Sequence, residues 1–243
     1  MTVYQPYGFL SFVLYVYLPF VKERKAAIVK VCVLASAKGG SSKSTLAAHL
    51  AVACELAGDG PAVLLDLDPQ GSLAAWWNVR EAESPALAPA TLAELPDKLA
   101  ALALAGYAVA ILDTPPAITE AIRAVVRAGD LVLIPVKPSP HDLRSVGGTV
   151  EIVRAEGRPF AFVVTQAKAN ALLTVQAMAA LSEHGRVAPV VMHDRVDYAG
   201  SMTDGRTVLE TAPRGPAAAE MSELWKFVLA RLNESTKARK EAP

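Results

Sequence analysis

The stretch Lys38-Gly-Gly-Ser-Ser-Lys-Ser-Thr45 lies between an apolar strand-like run, Val29–Ala35, and an apolar helix-like run, Leu46–Ala57. In a strand–glycine loop–helix context, backbone N–H groups and the helix N-terminus converge on phosphate oxygens. The stretch therefore predicts a phosphate-binding loop. Its predicted nucleotide-binding residues are Gly39, Gly40, Ser41, Ser42, Lys43, Ser44 and Thr45.

The two lysines of this loop are expected to have different roles. Lys43 is placed to reach the β/γ-phosphates of a nucleotide, and the hydroxyl of Ser44 is placed to ligate Mg²⁺. The loop thus predicts ATP and Mg²⁺ as ligands. Lys38 stands at a position where ordinary P-loops have no lysine, so it points to a particular class of ATPase.

Three aspartates follow predicted strands and should meet the loop at one sheet edge. Asp113 ends the apolar run before Thr-Pro-Pro and is the predicted Walker-B carboxylate, which holds Mg²⁺ through water. Asp68 lies where it could orient a nucleophilic water toward the γ-phosphate. Asp66 has two open interpretations: it belongs to the Mg²⁺ shell or supports Asp68, or it makes structural hydrogen bonds. Lys38, Asp68 and Lys43 are the predicted catalytic residues.

The segments KGGSSKST, DLDPQGS and LDTPP resemble the deviant Walker A, switch I and switch II segments of the ParA/MinD family of P-loop ATPases. Leu131–Leu143, Thr165–Lys168 and Asp204–Glu210 resemble segments of its short, ParF-like plasmid-partition branch. The resemblance covers residues 29–232. Ser42 departs from the family, which usually has glycine before the P-loop lysine. Serine there costs on the order of 1 kcal/mol if the backbone angle is glycine-like.

The resemblance implies a function that is tied to dimerisation. ATP would join two protomers, and Lys38 of each would reach the partner's phosphates. Because no cis arginine finger is evident, hydrolysis is expected to be slow and stimulated by a ParB-like centromere- or cargo-binding adaptor, by ~10³–10⁵ in such systems. ParA-like dimers bind DNA non-specifically, which predicts a cytoplasmic, nucleoid-associated protein. The DNA-binding candidates are Lys168, Arg195, Arg206 and Arg214.

The chain alternates short apolar runs with helical periods, which predicts an α/β fold: a doubly wound, mostly parallel twisted sheet with helices on both faces. The predicted strands are 29–35, 62–66, 108–112, 131–136, 160–165 and 187–192. The predicted helices are 43–57, 72–79, 91–104, 118–127, 141–156, 170–184 and about 217–232. Residues 81–96 read as a surface connection.

Three segments are expected along the chain: an apolar extension at 1–28, the ATPase domain at 29–232 and a charged, frayed tail at 233–243. The apolar run 9–21 is too short for a spanning helix, which needs about 20 residues. It is interpreted as a peripheral membrane or partner anchor, as an extra strand or packing arm, or as an incorrectly assigned translation start, and the last interpretation is favoured. The two cysteines, Cys32 and Cys54, are interpreted as buried thiols of a reduced protein.

The composition is compatible with more than one function. The formal net charge is zero, so DNA binding would need a local patch and doubling of the contacts by dimerisation. A MinD-like membrane-associated regulator is the alternative function. Membrane binding through the C-terminus is disfavoured because the tail lacks bulky apolar residues and because the stripe on the last helix is expected to pack onto the sheet. The apolar run 9–21 keeps this alternative open. A P-loop ligase or an iron-protein-like reductase is a third class, and the missing cysteine motifs argue against the reductase.

Overall fold

A computed structural model describes residues 28–116 and 120–241, and these residues form one parallel sheet with helices on both faces. The strand order is β3-β2-β4-β1-β5-β6-β7, and every strand pair is parallel. The strands are β1 Lys30–Leu34, β2 Ala62–Asp66, β3 Ala86–Leu87, β4 Val109–Asp113, β5 Leu131–Val136, β6 Phe160–Val164 and β7 Arg186–Val187. The predicted fold class is confirmed.

The helices cover the two faces as the alternating pattern predicted. They are α1 Lys43–Leu56, α2 Ser72–Asn78, α3 Leu95–Leu104, α4 Glu120–Ala128, α5 Pro140–Ala155, α6 Leu172–Ser182, α7 Val196–Met202, α8 Val208–Thr211 and α9 Pro216–Glu241. Among the described residues, none of these helices is both long enough and apolar enough to cross a membrane.

Side-chain alternation along the strands divides the core into two layers. Cys32 and Leu34 of β1 pack into the layer that contains α1 and α9, whereas Val31 and Val33 pack into the layer beneath α4 and α5. Successive residues of a strand point to opposite faces, so a strand covered on both faces must be apolar throughout. Both cysteines are free and buried, as predicted.

The register of the central strands sets the position of the candidate site. Leu34 of β1 pairs with Asp113 of β4, and Asp66 of β2 pairs with Asp113 on the other side. The carboxyl ends of β1, β2 and β4 therefore lie side by side. The loops that follow these strands meet at one edge of the sheet, which is where open α/β sheets bind ligands.

Two predictions for the outer strands were wrong. The segment 81–96 contains β3, whose residues pair with Val63 and Leu64 of β2. At the other edge, a strand was predicted over 187–192, whereas β7 consists of Arg186 and Val187 only. Pro189 has no N–H to donate to a ladder, so the regular strand ends before it.

The last helix is longer than predicted. It continues to Glu241, so the expected domain boundary at residue 232 falls inside it and residues 233–241 are helical instead of frayed. Arg239 anchors this end by an ion pair of 2.9 Å with the buried Asp130, whose other oxygen accepts from Val31 N. The short helices α7 and α8 were also missed. The apolar run 9–21 lies outside the described residues.

Candidate nucleotide-binding site

The phosphate-binding loop leaves the end of β1 in the middle of the sheet and enters α1 at Lys43. Gly40 has φ 68° and Ser42 has φ 76°, so two left-handed residues turn the chain into the helix. The first N–H groups of a helix have no intrahelical acceptor, and the helix dipole adds positive potential there. The loop therefore offers convergent donors to a phosphate.

Ser42 adopts the backbone angle that glycine usually supplies at this position. Its hydroxyl receives a hydrogen bond of 2.7 Å from Nε2 of Gln166, and the same Nε2 lies 3.1 Å from the carbonyl of Gly40. Gln166 itself has φ 52°. Gln166, two residues after the end of β6, thus holds the loop from the side. It lies within the segment Thr165–Lys168, for which the sequence predicted no such role.

Lys43 is buried at the start of α1, with 7% of its surface exposed. Burial lowers the pKa of its ammonium group, while the carboxylates of Asp113 and Asp68 oppose that shift. The structure therefore brings together the predicted P-loop lysine and two of the three predicted aspartates. A desolvated cation of this kind interacts strongly with a phosphate that enters the same space.

Asp113 and Ser44 meet beneath the loop. The Ser44 hydroxyl donates to Oδ2 of Asp113, and Oδ1 of Asp113 is buried without a partner among the described residues. Burial raises the pKa of Asp113 to about 7; the Ser44 hydrogen bond opposes that shift and Asp66 adds to it. A hydroxyl beside a carboxylate with a free, buried oxygen is an oxygen donor set that suits Mg²⁺. These residues fit the predicted metal.

Asp66 and Asp68 have different surroundings. Both oxygens of Asp66 accept backbone hydrogen bonds, from Asp68 N at 3.1 Å and from Ala74 N at 2.8 Å. This geometry supports the structural interpretation of Asp66, and its part in the metal shell stays a prediction. Asp68 uses Oδ1 to accept from Gln70 N at 3.0 Å and is partly exposed. Its action on a nucleophilic water stays a prediction.

Lys38 is held within its own protomer. Its ammonium group lies 2.8 Å from Oδ1 of Asp142, and 40% of the lysine side chain is exposed. Asp142 lies in the first turn of α5, where it also accepts from the Ser139 hydroxyl. Burial opposes ionisation of Asp142, but hydrogen bonds from Lys38 and Ser139 prevail and lower its pKa. Lys38 thus lies at the mouth of the site with a carboxylate partner.

A third lysine reaches the loop from the end of β5. A Cβ atom built on Gly40 would lie 3.8 Å from Nζ of Lys137. Lys137 lies within the segment Leu131–Leu143, and no role was predicted for it because strand periodicity alone does not show which loop a side chain faces. Lys137 adds a cis cation beside Lys38 and Lys43.

Comparison with known proteins identifies the architecture around this site. Residues 32–208 match the family model described as the CobQ/CobB/MinD/ParA nucleotide binding domain. The chain belongs to this family. It is a nucleotide-binding ATPase of the ParA/MinD type, and the predicted resemblance is confirmed.

Relatives from partition and positioning systems share much of its length. The chromosome-partitioning ATPase Soj of Thermus thermophilus is 32% identical over 248 aligned positions, covering 86% of this chain and 99% of Soj. The maintenance of carboxysome distribution protein A of Gloeobacter kilaueensis is 35% identical over 161, covering 64% of this chain and 72% of that protein. The MinD cell division protein of Aquifex aeolicus superposes with a TM-score of 0.70 at 16% identity, covering 83% of this chain and 98% of that structure, which shows a shared fold.

The four DNA-binding candidates of this ParA/MinD-family chain differ in their partners. Arg195 pairs with Glu220 at 2.8 Å, and Arg206 pairs with Asp204 at 2.6 Å. Lys168 and Arg214 are exposed, and their side chains have no ion pair or hydrogen bond with the described residues. Arginines that are already neutralised have less to offer a phosphate, so Lys168 and Arg214 are the stronger candidates.

Proposed function

We propose that this chain is an ATP–Mg²⁺-dependent switch that dimerises with ATP bound, holds DNA without sequence preference and positions a cargo. The observation that carries the proposal is the pair of lysines at the loop. Lys43 is buried among the aspartates, whereas Lys38 lies half-exposed at the mouth of the same site. A cation at the mouth of a P-loop is available to the phosphates of a second protomer.

The residues around the loop divide the chemistry of ATP hydrolysis. Ser44 and Asp113 would hold Mg²⁺, which supplies charge neutralisation for the β- and γ-phosphates. Lys43 binds the phosphates as a desolvated cation, and the loop N–H groups orient them. Asp68 orients the attacking water from the loop after β2, while Asp66 holds that loop through its two backbone hydrogen bonds.

Dimerisation competes with the ion pair between Lys38 and Asp142 for the Lys38 ammonium group. For Lys38 to reach the phosphates of a partner protomer, the cis contact with Asp142 has to break. An ion pair that is partly exposed is worth about 0.2–1 kcal/mol, which phosphate contacts of a cation can exceed. ATP in the partner would therefore draw Lys38 across the interface, and loss of the γ-phosphate would let it return.

DNA binding then follows from the dimer. Lys168 and Arg214 supply two unpaired cations per protomer, and a dimer doubles that number. The logarithm of the affinity for a duplex falls with the logarithm of the salt concentration, with a slope of about −0.9 per phosphate contact. Binding to DNA therefore depends steeply on the number of phosphate contacts, and we expect a dimer with twice the contacts to bind much more tightly than a monomer. This makes the protein cytoplasmic and nucleoid-associated while ATP is bound.

The proposed classes of cargo are those named for the relatives. Their names refer to chromosome partitioning and to carboxysome distribution, so a plasmid, a chromosome region or a protein body are the cargoes considered. A ParB-like adaptor on the cargo would stimulate hydrolysis and release the dimer. The apolar stripe of α9, which a membrane-targeting helix would expose, is buried against the sheet at Leu224, Trp225 and Val228. This burial favours a DNA-bound switch over a membrane-bound one.

The test is binding to a non-specific DNA duplex at two salt concentrations, with ADP–Mg²⁺ and with ATP–Mg²⁺, for the wild type and for Lys38→Gln. We expect salt-sensitive binding with ATP only, lost in Lys38→Gln and retained in Lys98→Gln, which removes a lysine from α3. Equal binding in both nucleotide states would contradict the switch. Absence of binding in every state would contradict the DNA assignment and direct the search to membrane or protein scaffolds.

A further inference from the structure

A cleft at the edge of the sheet opposite the phosphate-binding loop is unused by the proposed function. It has a volume of about 300 Å³ and is lined at the amino ends of β5, β6 and β7 and by α9. Three arginines from separate parts of the chain line it: Arg158 before β6, Arg186 in β7 and Arg231 on α9. Cations brought together from distant sequence positions repel one another unless an anion joins them.

The protein supplies only part of the counter-charge. Glu234 also lines the cleft and forms an ion pair of 2.5 Å with Arg231. The side chains of Arg158 and Arg186 have no hydrogen bond or ion pair with any described residue. With three arginines and one glutamate, the charged side chains of the lining sum to +2.

Two of the guanidinium groups also contain a buried nitrogen that has no hydrogen-bond acceptor among the described residues. The Nε atoms of Arg158 and Arg231 are both buried without a hydrogen-bond partner in the described part of the chain. A buried donor of a charged group that stays unpaired destabilises the fold, so such groups normally find an acceptor. Arg231 is nevertheless held in place, by Glu234 and by the ring of Phe227, whose centroid lies 5.8 Å from its Cζ.

We infer that this cleft binds the phosphate group of a small molecule, at a site separate from the nucleotide. Guanidinium groups bind phosphate oxygens in a bidentate manner, and a phosphate monoester carries about −1.5 to −2 at pH 7, which matches the +2 of the lining. A carboxylate would leave one cation unneutralised. The volume is at the lower end for ligand sites, so the ligand is small. Phe160 and Leu131 supply an apolar wall for its remainder.

Inorganic phosphate is the probe, measured by titration calorimetry on the full chain with the nucleotide loop filled by a non-hydrolysable ATP analogue and Mg²⁺. The wild type should bind one phosphate saturably in addition to the nucleotide. The double variant Arg158→Gln/Arg186→Gln should bind it about tenfold or more weakly. Arg154→Gln is the matched control, because it removes a cation near the end of α5 that donates to the carbonyl of His184 and does not line the cleft. The control should bind phosphate like the wild type.

Circular dichroism and binding of the ATP analogue show whether the variants are folded. Absence of saturable phosphate binding in the wild type, or equal binding in the double variant, overturns the inference. A DNA duplex tested on the same proteins separates the two sources of phosphate. If the double variant loses duplex affinity while the wild type binds no free phosphate, the cleft is a nucleic-acid contact and the small-ligand assignment is wrong. The phosphate titrations use no DNA, so their failure is distinguishable from a failure of the proposed ATP-gated DNA binding.

Discussion

Ser42 shows how a residue that conflicts with its backbone angle is tolerated at this site. A left-handed serine costs on the order of 1 kcal/mol relative to glycine. The hydrogen bond that its hydroxyl receives from Gln166 at 2.7 Å contributes about 0.5–1.5 kcal/mol and is available only to a side chain. The two terms are similar in size. The hydrogen bond therefore offsets the backbone cost of the departure from the family pattern.

Lys43→Ala should reduce the affinity for ATP–Mg²⁺ by about 100-fold or more. Lys43 is buried, and a charge-assisted hydrogen bond to phosphate contributes about 1.5–3 kcal/mol before the loss of long-range attraction is added. Equilibrium binding of a fluorescent ATP analogue measures the change, with Lys98→Ala as the control. Retained tight binding in Lys43→Ala would contradict the assignment of the loop.

Asp68→Ala should stop turnover while ATP-driven dimerisation persists. Asp68 is partly exposed in the loop after β2, so its carboxylate is available to a water rather than committed to the core. Phosphate release and light scattering with ATP–Mg²⁺ measure the two properties, and Asp97→Ala on α3 serves as the control. If Asp68→Ala prevents dimerisation, the residue acts at the interface and the role assigned to it is wrong.

Asp142→Asn should favour the ATP-bound dimer by up to about 30-fold, which is about fivefold for each of the two Lys38–Asp142 ion pairs that dimerisation breaks. The substitution removes the cis ion pair that holds Lys38, and a pair with a 40% exposed lysine contributes at most about 1 kcal/mol. The dimer dissociation constant with an ATP analogue is the quantity to measure by analytical ultracentrifugation. A weaker dimer in Asp142→Asn would show that Asp142 stabilises the interface itself, contrary to this prediction.

Among the secondary-structure elements, the connection between α7 and α8 is held in place by a close contact between Gly205 and Arg80. Gly205 has φ 77°, and a Cβ atom there would lie 2.5 Å from the backbone N of Arg80. Arg80 cannot yield, because its guanidinium group is bound to Glu210 at 2.6 Å and its Nη1 donates to the carbonyl of Gly205 at 2.7 Å. Glu210 also caps α8 together with Thr207.

Gly205→Ala should therefore lower the free energy of unfolding by about 2–4 kcal/mol, the sum of backbone strain and steric overlap. Gly147→Ala provides the opposite control: Gly147 is exposed in α5 and nothing lies within 4 Å of an added Cβ. That substitution should raise stability by about 0.5–1 kcal/mol through helix propensity. Urea denaturation measures both. A neutral Gly205→Ala would mean that the loop moves freely.

At the scale of the whole molecule, His49 links helices that are far apart in sequence. Its Nδ1 lies 2.8 Å from the carbonyl of Thr45, and its Nε2 accepts from Val208 N in α8 at 3.3 Å. The ring also contacts Tyr198 of α7 edge to face. Burial lowers the pKa of His49 to about 4, with the Thr45 carbonyl and Glu210 opposing.

This histidine predicts acid sensitivity of the fold. Its pKa is about 6.5 in the unfolded chain, so the unfolded state binds the extra proton between about pH 6.5 and pH 4. The free energy of unfolding has its full value above pH 6.5 and decreases by ~3 kcal/mol in total as the pH falls toward 4. Chemical denaturation across this range measures it. His49→Gln should flatten the dependence over that window; an unchanged slope would assign it to other groups.

The sequence predicted most of the central structure because its signals there are local. The strand–loop–helix pattern at Lys38–Thr45 and the continuous apolar runs of β1, β4 and β5 follow from burial on both faces. The edge elements escaped prediction. β3 has two residues and is held by pairing with β2, and α8 has four residues and is held by Arg80 and Glu210. Elements this short depend on distant partners.

Residue types at fixed spacing along one strand–loop–helix unit are enough to predict the family, the phosphate-binding loop and the aspartates that meet it. The residues that hold that loop from elsewhere in the chain are evident only in the folded protein: Gln166 on Ser42, Asp142 on Lys38 and Lys137 beside Gly40. It alone brought Arg158, Arg186 and Arg231 to one cleft. The physical reason is that these contacts join residues far apart in the chain, whose meeting depends on strand order and register, which no local pattern contains.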